Sequence, residues 1–366
     1  MNTDKNDMLE MALRICRGYL PGPWKKITAN DITLSQISGG LSNLLYHVTL
    51  NKTSGKSVEP TQVLLRLYGH TMGERPIESL ITDSVIFTLL SERNLGPRLH
   101  GIFPGGRIEE YIPARPIKSY ELHSPSLTLL VADRMAAIHS MNVPINKEPR
   151  WLWDTMIRWH QNIEEGKTKE NVSQTPNTIE QQLNLIDLKA EMVWLKSHLT
   201  KLRSPVVFCH NDLQGGNILL LQNTDEENVV IIDYEYCSYN YRAYDLANHF
   251  IEWTFDYSNP VAPNFFTTKE NYPSRSQMVT FLERYISHFG QTSGPVNYDA
   301  IITEIQHFTM ASHLFWGMWS IVSAKRSHIP FGYWEYAKDR IDSYYSLKAE
   351  LIGIETGLKR KAVDLD

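Results

Sequence analysis

Apolar and polar residues alternate along the first third of the chain and follow helical spacing in most of the remainder. One face of the first alternating segment carries Leu44, Tyr46, Val48 and Leu50. A second segment alternates in the same way through Val63, Leu65 and Leu67. Alternation with a period of two is typical of half-buried antiparallel strands. Short apolar runs in LHGIF and RIEEYI extend the pattern, so the sequence predicts a small antiparallel sheet.

The periodicity then changes from two to that of a helix. Apolar residues recur at helical spacing at Ile77, Leu80, Ile81, Val85 and Leu89. Gly96 and Pro97 interrupt this pattern, as they do at helix ends. The first part of the chain therefore predicts a sheet accompanied by one helix, over residues 1–113.

From residue 114 onward the pattern predicts mainly helices. One helical face carries Leu127, Leu130, Val131 and Ile138, and another carries Leu185, Leu188, Met192, Leu195, Leu199 and Leu202. Residues 164–182 are polar and lack periodicity, which predicts a mobile insertion. The sequence thus favours two domains, an N-terminal lobe at 1–113 and a helical C-terminal lobe at 114–366.

Composition narrows the class of protein. The net charge is -5 and 21% of the 366 residues are charged, which argues against a nucleic-acid or anionic-membrane partner. The N-terminal segment MNTDKNDMLE lacks the apolar core of a signal peptide, so we expect a cytoplasmic protein without membrane insertion. The three cysteines have no metal-binding spacing and are expected to be reduced core thiols.

The strongest candidate for chemistry is the segment VVFCHNDLQGGNILLL at 206–221. Asp212 and Asn217 are five residues apart, and Asp233 follows sixteen residues later at the end of another apolar run. Phosphoryl transfer requires hard oxygen ligands for a divalent metal and a carboxylate that accepts the proton of the attacking hydroxyl. This pattern predicts Asp212 as the base, with Asn217 and Asp233 as metal ligands.

Each of these features also has a structural explanation. A single HND segment is usually a turn, SGGLSN at 38–43 would by default be a hairpin turn, and Arg66 could be an exposed strand residue. Their order favours a kinase: a glycine turn between strands, a basic residue on the next strand, a helix, a connector, HND with Asn217, and a strand ending in Asp233.

Several longer segments resemble the choline/ethanolamine kinase family. They are ISGGLSN, LLRLYG, SERNLGPRLHGIFPGGRIEEYIPAR, VVFCHNDLQGGNILLL, IIDYEYCSYNYRAYDLANHFIEW and ASHLFWGMWSIVSAK. The resemblance implies an α+β, two-lobed protein-kinase-like fold with a small antiparallel-sheet N-lobe and a larger, mainly helical C-lobe. It also implies ATP- and Mg2+-dependent phosphorylation of choline to phosphocholine, the first step of phosphatidylcholine synthesis by the CDP-choline route. The location would be cytoplasmic and the assembly a homodimer.

The resemblance also implies roles for individual residues. It assigns the loop over the ATP phosphates to Ser38, Gly39, Gly40, Leu41, Ser42, Asn43 and Leu44. It assigns nucleotide contacts to Arg66, Glu110, Tyr111, Ile112 and Gln214. Asn217, Asp233 and Glu235 would hold Mg2+, while Asp83 stands where the family usually has Glu, which shortens the reach toward Arg66.

The acceptor site is predicted from aromatic residues late in the chain. Trp316 and Trp319 are three residues apart and share a helix face, and Phe331, Tyr333 and Tyr336 follow. Core packing explains such spacing equally well from the sequence alone. The resemblance implies instead a cage for a quaternary ammonium group, built from Trp316, Trp319, Phe331 and Tyr336 with Glu252 and Tyr257, next to the acceptor-binding base Asp212.

Three other functions remain open at this point. An ethanolamine kinase would share every catalytic residue. An aminoglycoside-type phosphotransferase would share the base and the metal ligands, but its polycationic substrate favours acidic residues over paired tryptophans. A non-catalytic pseudokinase would be expected to lack Asp212, Asn217 or Asp233, and all three are present.

Overall fold

The chain folds into two compact units. The computed structural model describes residues 2–37, 43–51, 60–68, 77–167, 178–222, 225–290 and 294–363. The N-terminal unit contains Met1–Arg115 and Leu219–Glu235, and the C-terminal unit contains Pro116–Ile218 and Tyr236–Asp366. The domain assignment at 113 and 114 stays a prediction, and the segment from Leu219 to Glu235 belongs with the N-terminal unit.

The N-terminal unit is built around the antiparallel sheet that the alternation predicts. Its elements are α1 (Asn2–Tyr19), β1 (Ile32–Ile37), β2 (Asn43–Leu50), β3 (Gln62–Tyr68), α2 (Ile77–Glu92), β4 (Leu99–Phe103) and β5 (Gly106–Glu110). The strand order is β1-β2-β3-β5-β4, with antiparallel neighbours throughout. The predicted strands and the predicted helix α2 are therefore confirmed. The expectation of one helix in this part of the chain is wrong, because α1 also packs apolar residues, Ala12 and Cys16 among them, into the core of the sheet.

The alternation along β3 separates two kinds of buried residue. Val63 and Leu65 are fully buried and pack in a core with Trp24 and Ile108. Arg66 points to the opposite face, as the period of two requires, yet only 8% of it is exposed. The interpretation of Arg66 as an exposed strand residue is wrong, because this face of the strand is covered as well.

The C-terminal unit is mainly helical. Between β6 (Ala114–Pro116) and the segment at 206–221, the helices are α3 (Pro125–His139), α4 (Trp151–Glu165), α5 (Ile179–Asn184) and α6 (Leu188–Thr200). The segment at 206–221 contains β7 (Val206–Cys209) and leads into β8 (Ile218–Leu221). β9 (Val229–Ile231) and all of β8 except Ile218 belong to the N-terminal unit. The remaining elements are β10 (Ser238–Tyr241), α7 (Arg242–Glu252), β11 (Phe255–Asp256), β12 (Phe266–Thr267), α8 (Arg275–Ser287), α9 (Tyr298–Arg326) and α10 (Tyr333–Val363).

Two details differ from the periodicity. The helix expected from Leu185 begins only at Leu188, because the Asp187 side chain caps it by accepting from the amide of Ala190. Leu185 lies before this cap and is exposed. The ends of the predicted mobile insertion at 164–182 are helical, in α4 and α5, and its central residues 168–177 lie outside the described part of the chain.

Burial tests the expectation for the cysteines. All three cysteines are buried free thiols, as predicted. Among the described residues, none of the helices combines the length and the apolar character that crossing a bilayer requires.

Candidate active site

A buried cluster of charges lies on β3 and β5 of the N-terminal unit. Nε of Arg66 donates to Oε1 of Glu109 at 2.7 Å, and Nε of Arg107 donates to the same oxygen at 2.6 Å. Arg66 and Arg107 are paired across the two strands, which brings both guanidinium groups to one carboxylate. We call these three residues the N-terminal charge cluster. With two guanidinium groups and one carboxylate, the cluster has a net charge of +1.

Opposite charges determine the protonation of this cluster. Burial alone would raise the pKa of Glu109, but the guanidinium groups of Arg107 and Arg66 outweigh it and hold this pKa below its ordinary value. Burial alone would lower the pKa of Arg66, and the negative charges of Glu109, Asp233 and Glu235 raise it above its ordinary value. Glu109 and Arg66 are therefore both ionised at neutral pH.

Asp233 and Glu235, two of the predicted metal ligands, are thus electrostatic neighbours of Arg66 within the N-terminal unit. Asp233 has a φ of 65°, a left-handed conformation that costs energy for a residue with a side chain. Such strain is common where a side chain must point in a functional direction. Two carboxylates at this position are suitable ligands for Mg2+.

The other nucleotide-binding predictions fall partly outside the described residues. Ser38, Gly39, Gly40, Leu41 and Ser42 lie there, whereas Asn43 begins β2 and the next residue, Leu44, is 46% exposed. Of the connector residues Glu110, Tyr111 and Ile112, the first closes β5 and accepts from the backbone amide of Arg98 at 3.0 Å. The Tyr111 ring stacks on His47 with centroids 3.6 Å apart. Their roles toward adenine stay predictions.

The predicted catalytic loop follows β7 in the C-terminal unit. Nδ2 of Asn217 donates to the backbone oxygen of Asp212 at 2.8 Å and to its carboxylate Oδ2 at 3.0 Å. The amide of Gln214 also donates to the backbone oxygen of Asp212, at 3.0 Å. These bonds hold the Asp212 carboxylate in one orientation, and they leave Oδ1 as the atom that Asn217 can offer to a metal.

Asp245 anchors this loop from the first turn of α7. Its Oδ2 accepts from the amide of His210 at 2.8 Å, and its Oδ1 accepts from the amide of Asn211 at 2.7 Å. His139 lies 2.9 Å from the same carboxylate through Nε2. Burial alone would raise the pKa of Asp245, but its bond to His139 lowers it below the ordinary value. The expected structural role of Asp245 is consistent with this geometry.

His139, Asp245 and Cys209 form a compact buried group that could in principle bind a metal. The Asp245 carboxylate already accepts two backbone N–H groups and contacts His139. His210 is buried as well, and its Nδ1 accepts from the amide of Asp212 at 3.2 Å. These contacts make the group a support for the loop and agree with His210 as a satisfied core histidine.

Helix α7 connects the catalytic loop to the acceptor residues within the C-terminal unit. Asp245, Asn248, His249 and Glu252 follow one another at helical spacing, and all four are buried. His249 donates through Nδ1 to the backbone oxygen of Leu213, at 3.0 Å. Burial lowers the pKa of His249 to about 4, so its ring is neutral at physiological pH. One helix face thus positions both the loop and Glu252.

The predicted acceptor residues come together in this unit. Trp316 and Trp319 have ring centroids 5.6 Å apart, and Tyr336 lies 6.5 Å from Trp319 and 5.5 Å from Phe331. Tyr257 lies 6.3 Å from Tyr336. Nε1 of Trp316 donates to Oδ1 of Asn248 at 2.7 Å, which fixes the orientation of this ring. We call the following residues the aromatic cluster: Phe255, Tyr257, Phe265, Trp316, Trp319, Phe331 and Tyr336.

A buried ion pair lies against the aromatic cluster. Nη2 of Arg340 donates to Oε1 of Glu252 at 2.5 Å, and neither side chain is more than 4% exposed. The hydroxyl of Tyr257 donates to the other carboxylate oxygen, Oε2, at 2.8 Å. The guanidinium carbon of Arg340 lies 4.0 Å from the centroid of the Phe255 ring. Glu252 is therefore part of a neutral pair.

Sequence reasoning missed four residues of this region: Phe255, Phe265, Asn248 and Arg340. Helical spacing offered a signal for two of them. Arg340 follows Tyr336 by four residues on α10, and Asn248 precedes Glu252 by four residues on α7. Phe255 and Phe265 gave no such signal, because they lie on or beside the short strands β11 and β12.

Comparison with known proteins identifies relatives along nearly the whole chain. The family model described as choline/ethanolamine kinase matches residues 34–345. A choline/ethanolamine kinase of Mus musculus is 41% identical over 353 residues, which cover 94% of this chain and 88% of that protein. A probable ethanolamine kinase A of Dictyostelium discoideum is 30% identical over 343 residues, covering 93% of this chain and 92% of that protein.

A solved structure gives the same result for the fold. The crystal structure of a choline kinase from Cryptosporidium parvum superposes with a TM-score of 0.77 at 29% identity. The match covers 94% of this chain and 97% of that one. The expected fold class, protein-kinase-like with a small antiparallel-sheet lobe and a larger helical lobe, is confirmed.

Proposed function

This chain belongs to the choline/ethanolamine kinase family and is a kinase of that family, and from this premise we propose that its acceptor is choline. The reaction would transfer the γ-phosphoryl group of ATP to the choline hydroxyl and release phosphocholine and ADP. Phosphocholine formation would supply phosphatidylcholine synthesis by the CDP-choline route. The observation that carries the choice of choline is the aromatic cluster, with its buried Glu252–Arg340 pair.

The catalytic loop supports a role for Asp212 as the general base. Asn217 holds the Asp212 carboxylate from one side, and Asp245 holds the backbone before it. The carboxylate would orient the choline hydroxyl and accept its proton as the oxygen attacks the γ-phosphorus. The proton leaves the hydroxyl for Asp212, and the bond from the γ-phosphorus to ADP breaks. Gln214 would contact the nucleotide beside this loop.

The N-terminal charge cluster supports a role in binding the ATP phosphates. Its surplus positive charge suits phosphate oxygens, and a guanidinium group can bind two of them at once. We propose that Arg66 contacts the phosphates together with residues 38–44, and that Glu110–Ile112 contact adenine. Asn217, Asp233 and Glu235 would hold Mg2+. When bound, Mg2+ supplies positive charge that stabilises the transferring phosphoryl group.

The aromatic cluster supports a quaternary ammonium group as the cation. A trimethylated nitrogen has no N–H donors, so aromatic faces can surround it without leaving a polar group unpaired. Trp316, Trp319 and Tyr336 would supply those faces, with Tyr257 and Phe331 beside them. Ethanolamine is the second candidate acceptor, because the carboxylate of Glu252, an acceptor for N–H donors, lies against the aromatic cluster.

The direct test is an assay of ADP release with choline, ethanolamine and an aminoglycoside as separate acceptors. We expect the highest kcat/KM with choline and no turnover with the aminoglycoside. A higher kcat/KM with ethanolamine would replace choline in the proposal. Absence of turnover with all three acceptors at saturating Mg-ATP would contradict the proposed catalysis.

Location and assembly are also proposals. We propose a cytoplasmic location, which the resemblance implies. We infer a homodimer from the properties that the resemblance implies. Light scattering of the purified chain at several concentrations measures this directly, and a mass of one chain at every concentration would contradict it.

A further inference from the structure

The buried ion pair between Glu252 and Arg340, which lies against the aromatic cluster, has unusual hydrogen bonding. Arg340 is fully buried, and Nη1, one of its terminal nitrogens, has no hydrogen-bond partner in the part of the chain that the structure describes. Its other nitrogens all donate to two residues, Glu252 and Tyr336. A buried ion pair contributes little net stability compared with apolar residues of similar size. Its position against the aromatic cluster therefore calls for a functional explanation.

The hydrogen bonds of this region form a closed ring with a defined direction. Arg340 donates to the hydroxyl oxygen of Tyr336 from Nε at 2.9 Å and from Nη2 at 2.5 Å. Tyr257 donates its single proton to Oε2 of Glu252. The contact of 3.1 Å between the two tyrosine hydroxyls must then be a bond from Tyr336 to Tyr257. Nη2 of Arg340 closes the ring by donating to Oε1 of Glu252.

This ring determines what the cluster can offer to a cation. Both oxygens of Glu252 and both tyrosine hydroxyl oxygens already accept a hydrogen bond within the ring. The charge of Glu252 is balanced by Arg340 at contact distance. An ammonium group with N–H donors would have to share acceptors that are already in use, and it would lose hydration to do so. A group that carries only methyl groups on nitrogen avoids this cost.

We propose that Arg340 is a positioning residue that sets acceptor selectivity, by engaging Glu252 and Tyr336 so that the aromatic cluster favours N-methylated amines over amines with N–H donors. This inference rests on the proposed function, because it concerns the acceptor of the same reaction. The Arg340 side chain does not need to contact the acceptor. It acts through the carboxylate and the hydroxyl that it holds.

The test measures kcat/KM for four acceptors: ethanolamine and its derivatives with one, two and three N-methyl groups, the last being choline. For the unmodified protein we expect kcat/KM to rise with each methyl group. Arg340→Gln leaves Glu252 with an unbalanced charge and a less occupied oxygen. We expect the advantage of choline over ethanolamine to fall roughly tenfold or more, mainly through a lower KM for ethanolamine.

Two further variants separate this effect from general damage. Glu252→Gln leaves Arg340 as an unbalanced positive charge and should raise KM for all four cations to a similar extent. The double variant Arg340→Gln with Glu252→Gln removes both charges and should recover most of the methyl dependence. A matched control, Arg284→Gln, breaks an exposed contact with Asp133 and should leave the methyl dependence unchanged.

If Arg340→Gln fails to fold, a substitution at the more exposed Tyr257 still tests the inference. Tyr257 is 38% exposed, and Tyr257→Phe releases Oε2 of Glu252 without changing any charge. It should weaken the methyl dependence in the same direction, by a smaller factor. Unchanged methyl dependence in both Arg340→Gln and Tyr257→Phe, with turnover retained, would overturn the inference while the proposed function stands. No turnover of any amine by the unmodified protein would instead contradict the proposed function.

Discussion

The two units each contain a buried contact between arginine and glutamate, and the two contacts differ in charge. In the N-terminal charge cluster, one carboxylate meets two guanidinium groups, at 2.7 and 2.6 Å. In the C-terminal unit, the Glu252 carboxylate meets one guanidinium group and one tyrosine hydroxyl. The first arrangement has an excess positive charge, and the second is neutral.

The difference in charge matches the two ligands that we propose for these places, ATP phosphates in the N-terminal unit and a cation in the C-terminal unit. Asp233 and Glu235 add negative charge near Arg66, which suits a site where metal and phosphate charges must balance. The Glu252–Arg340 pair is surrounded by aromatic rings instead, with Phe255 and Tyr336 against the guanidinium group. A neutral, aromatic surrounding favours a weakly hydrated cation. The following predictions test this contrast and the proposed catalytic role of Asp212.

The largest expected effect is at Asp212. Asp212→Ala should lower kcat by about 10²–10⁴, the usual contribution of a positioned base. Mg-ATP binding, measured by calorimetry, should remain nearly unchanged, because the proposed base acts on the acceptor. The control is Asp154→Ala, which changes an exposed aspartate of α4. Near-normal kcat in Asp212→Ala would show that another group accepts the proton.

The next effect concerns the stability of the N-terminal charge cluster. Glu109→Gln leaves the buried guanidinium group of Arg66 and the partly buried one of Arg107 without their carboxylate, so we expect the free energy of unfolding to fall by about 3–5 kcal/mol. Urea denaturation measures this. Glu148→Gln provides a matched control, because the Glu148 side chain forms an exposed contact with Arg150 at 3.9 Å. A loss below about 0.5 kcal/mol at Glu109 would mean that the cluster relaxes without it.

The stabilisation that Glu109 contributes should depend on pH. The pKa of Glu109 is lowered in the folded state, so the folded protein binds fewer protons here than the unfolded chain. The stabilisation by Glu109 is complete above its unfolded pKa of about 4.3 and is lost as the pH falls through the folded value. The difference in unfolding free energy between the unmodified protein and Glu109→Gln should therefore shrink below about pH 4. A difference that is constant with pH would contradict the ionised cluster.

Asp233→Asn should weaken the metal-dependent step, because it removes a negative charge from the proposed metal ligands. We expect the Mg2+ concentration for half-maximal rate to rise by at least roughly 10- to 100-fold, because the loss of residues that only support metal ligands already has effects in this range. A titration of rate against Mg2+ at fixed ATP measures it. The matched change Asp225→Asn alters an exposed aspartate of the same unit and should have no such effect. An unchanged Mg2+ dependence in Asp233→Asn would remove Asp233 from the proposed site.

Trp319→Ala should weaken binding of the acceptor at the aromatic cluster and leave ATP binding unchanged. Loss of one cation-π face costs about 0.5–2 kcal/mol, so KM for choline should rise by up to about 30-fold. KM for ethanolamine should rise less, and KM for ATP should stay unchanged. Trp194→Ala is the control, since Trp194 stacks on His198 in α6. Equal losses for both amines would return Trp319 to a role in core packing.

The smallest effect is expected at Asp83, which is partly buried on α2. Asp83→Glu adds the reach that the usual family residue has, so KM for ATP should stay the same or fall. Because Glu109 already pairs with Arg66, we expect a change below about fivefold, equivalent to at most about 1 kcal/mol. A clear rise in KM would mean that the backbone has adapted to the shorter side chain.

Much of the local structure could be predicted because its signals are local. Alternation gave β2 and β3, and helical spacing gave α2 and the paired tryptophans of α9. The periodicity was less accurate at boundaries, where caps decide: Leu185 fits the helical pattern but precedes the Asp187 cap. Ile81 also fits its helical pattern, yet it is exposed, because periodicity does not show whether a neighbour covers a face.

The candidate site was predictable to the extent that residue type implies chemistry. Asp212 and Asn217 were expected to act together, and a hydrogen bond of 3.0 Å joins them. Burial of Arg66 and the partner of Glu252 were not predictable. Glu109 lies 43 residues from Arg66, and Arg340 lies 88 residues from Glu252, so no local pattern connects them.

The sequence by itself determined the secondary structure, the family and the chemical types available for catalysis. Only the tertiary structure decided which charges meet and how many oppose each carboxylate. The physical reason is that periodicity and capping depend on neighbours a few residues away, whereas a buried ion pair forms only when distant segments exclude water from the same place. The positive N-terminal charge cluster and the neutral Glu252–Arg340 pair therefore differ through folding, although both begin as the same two residue types.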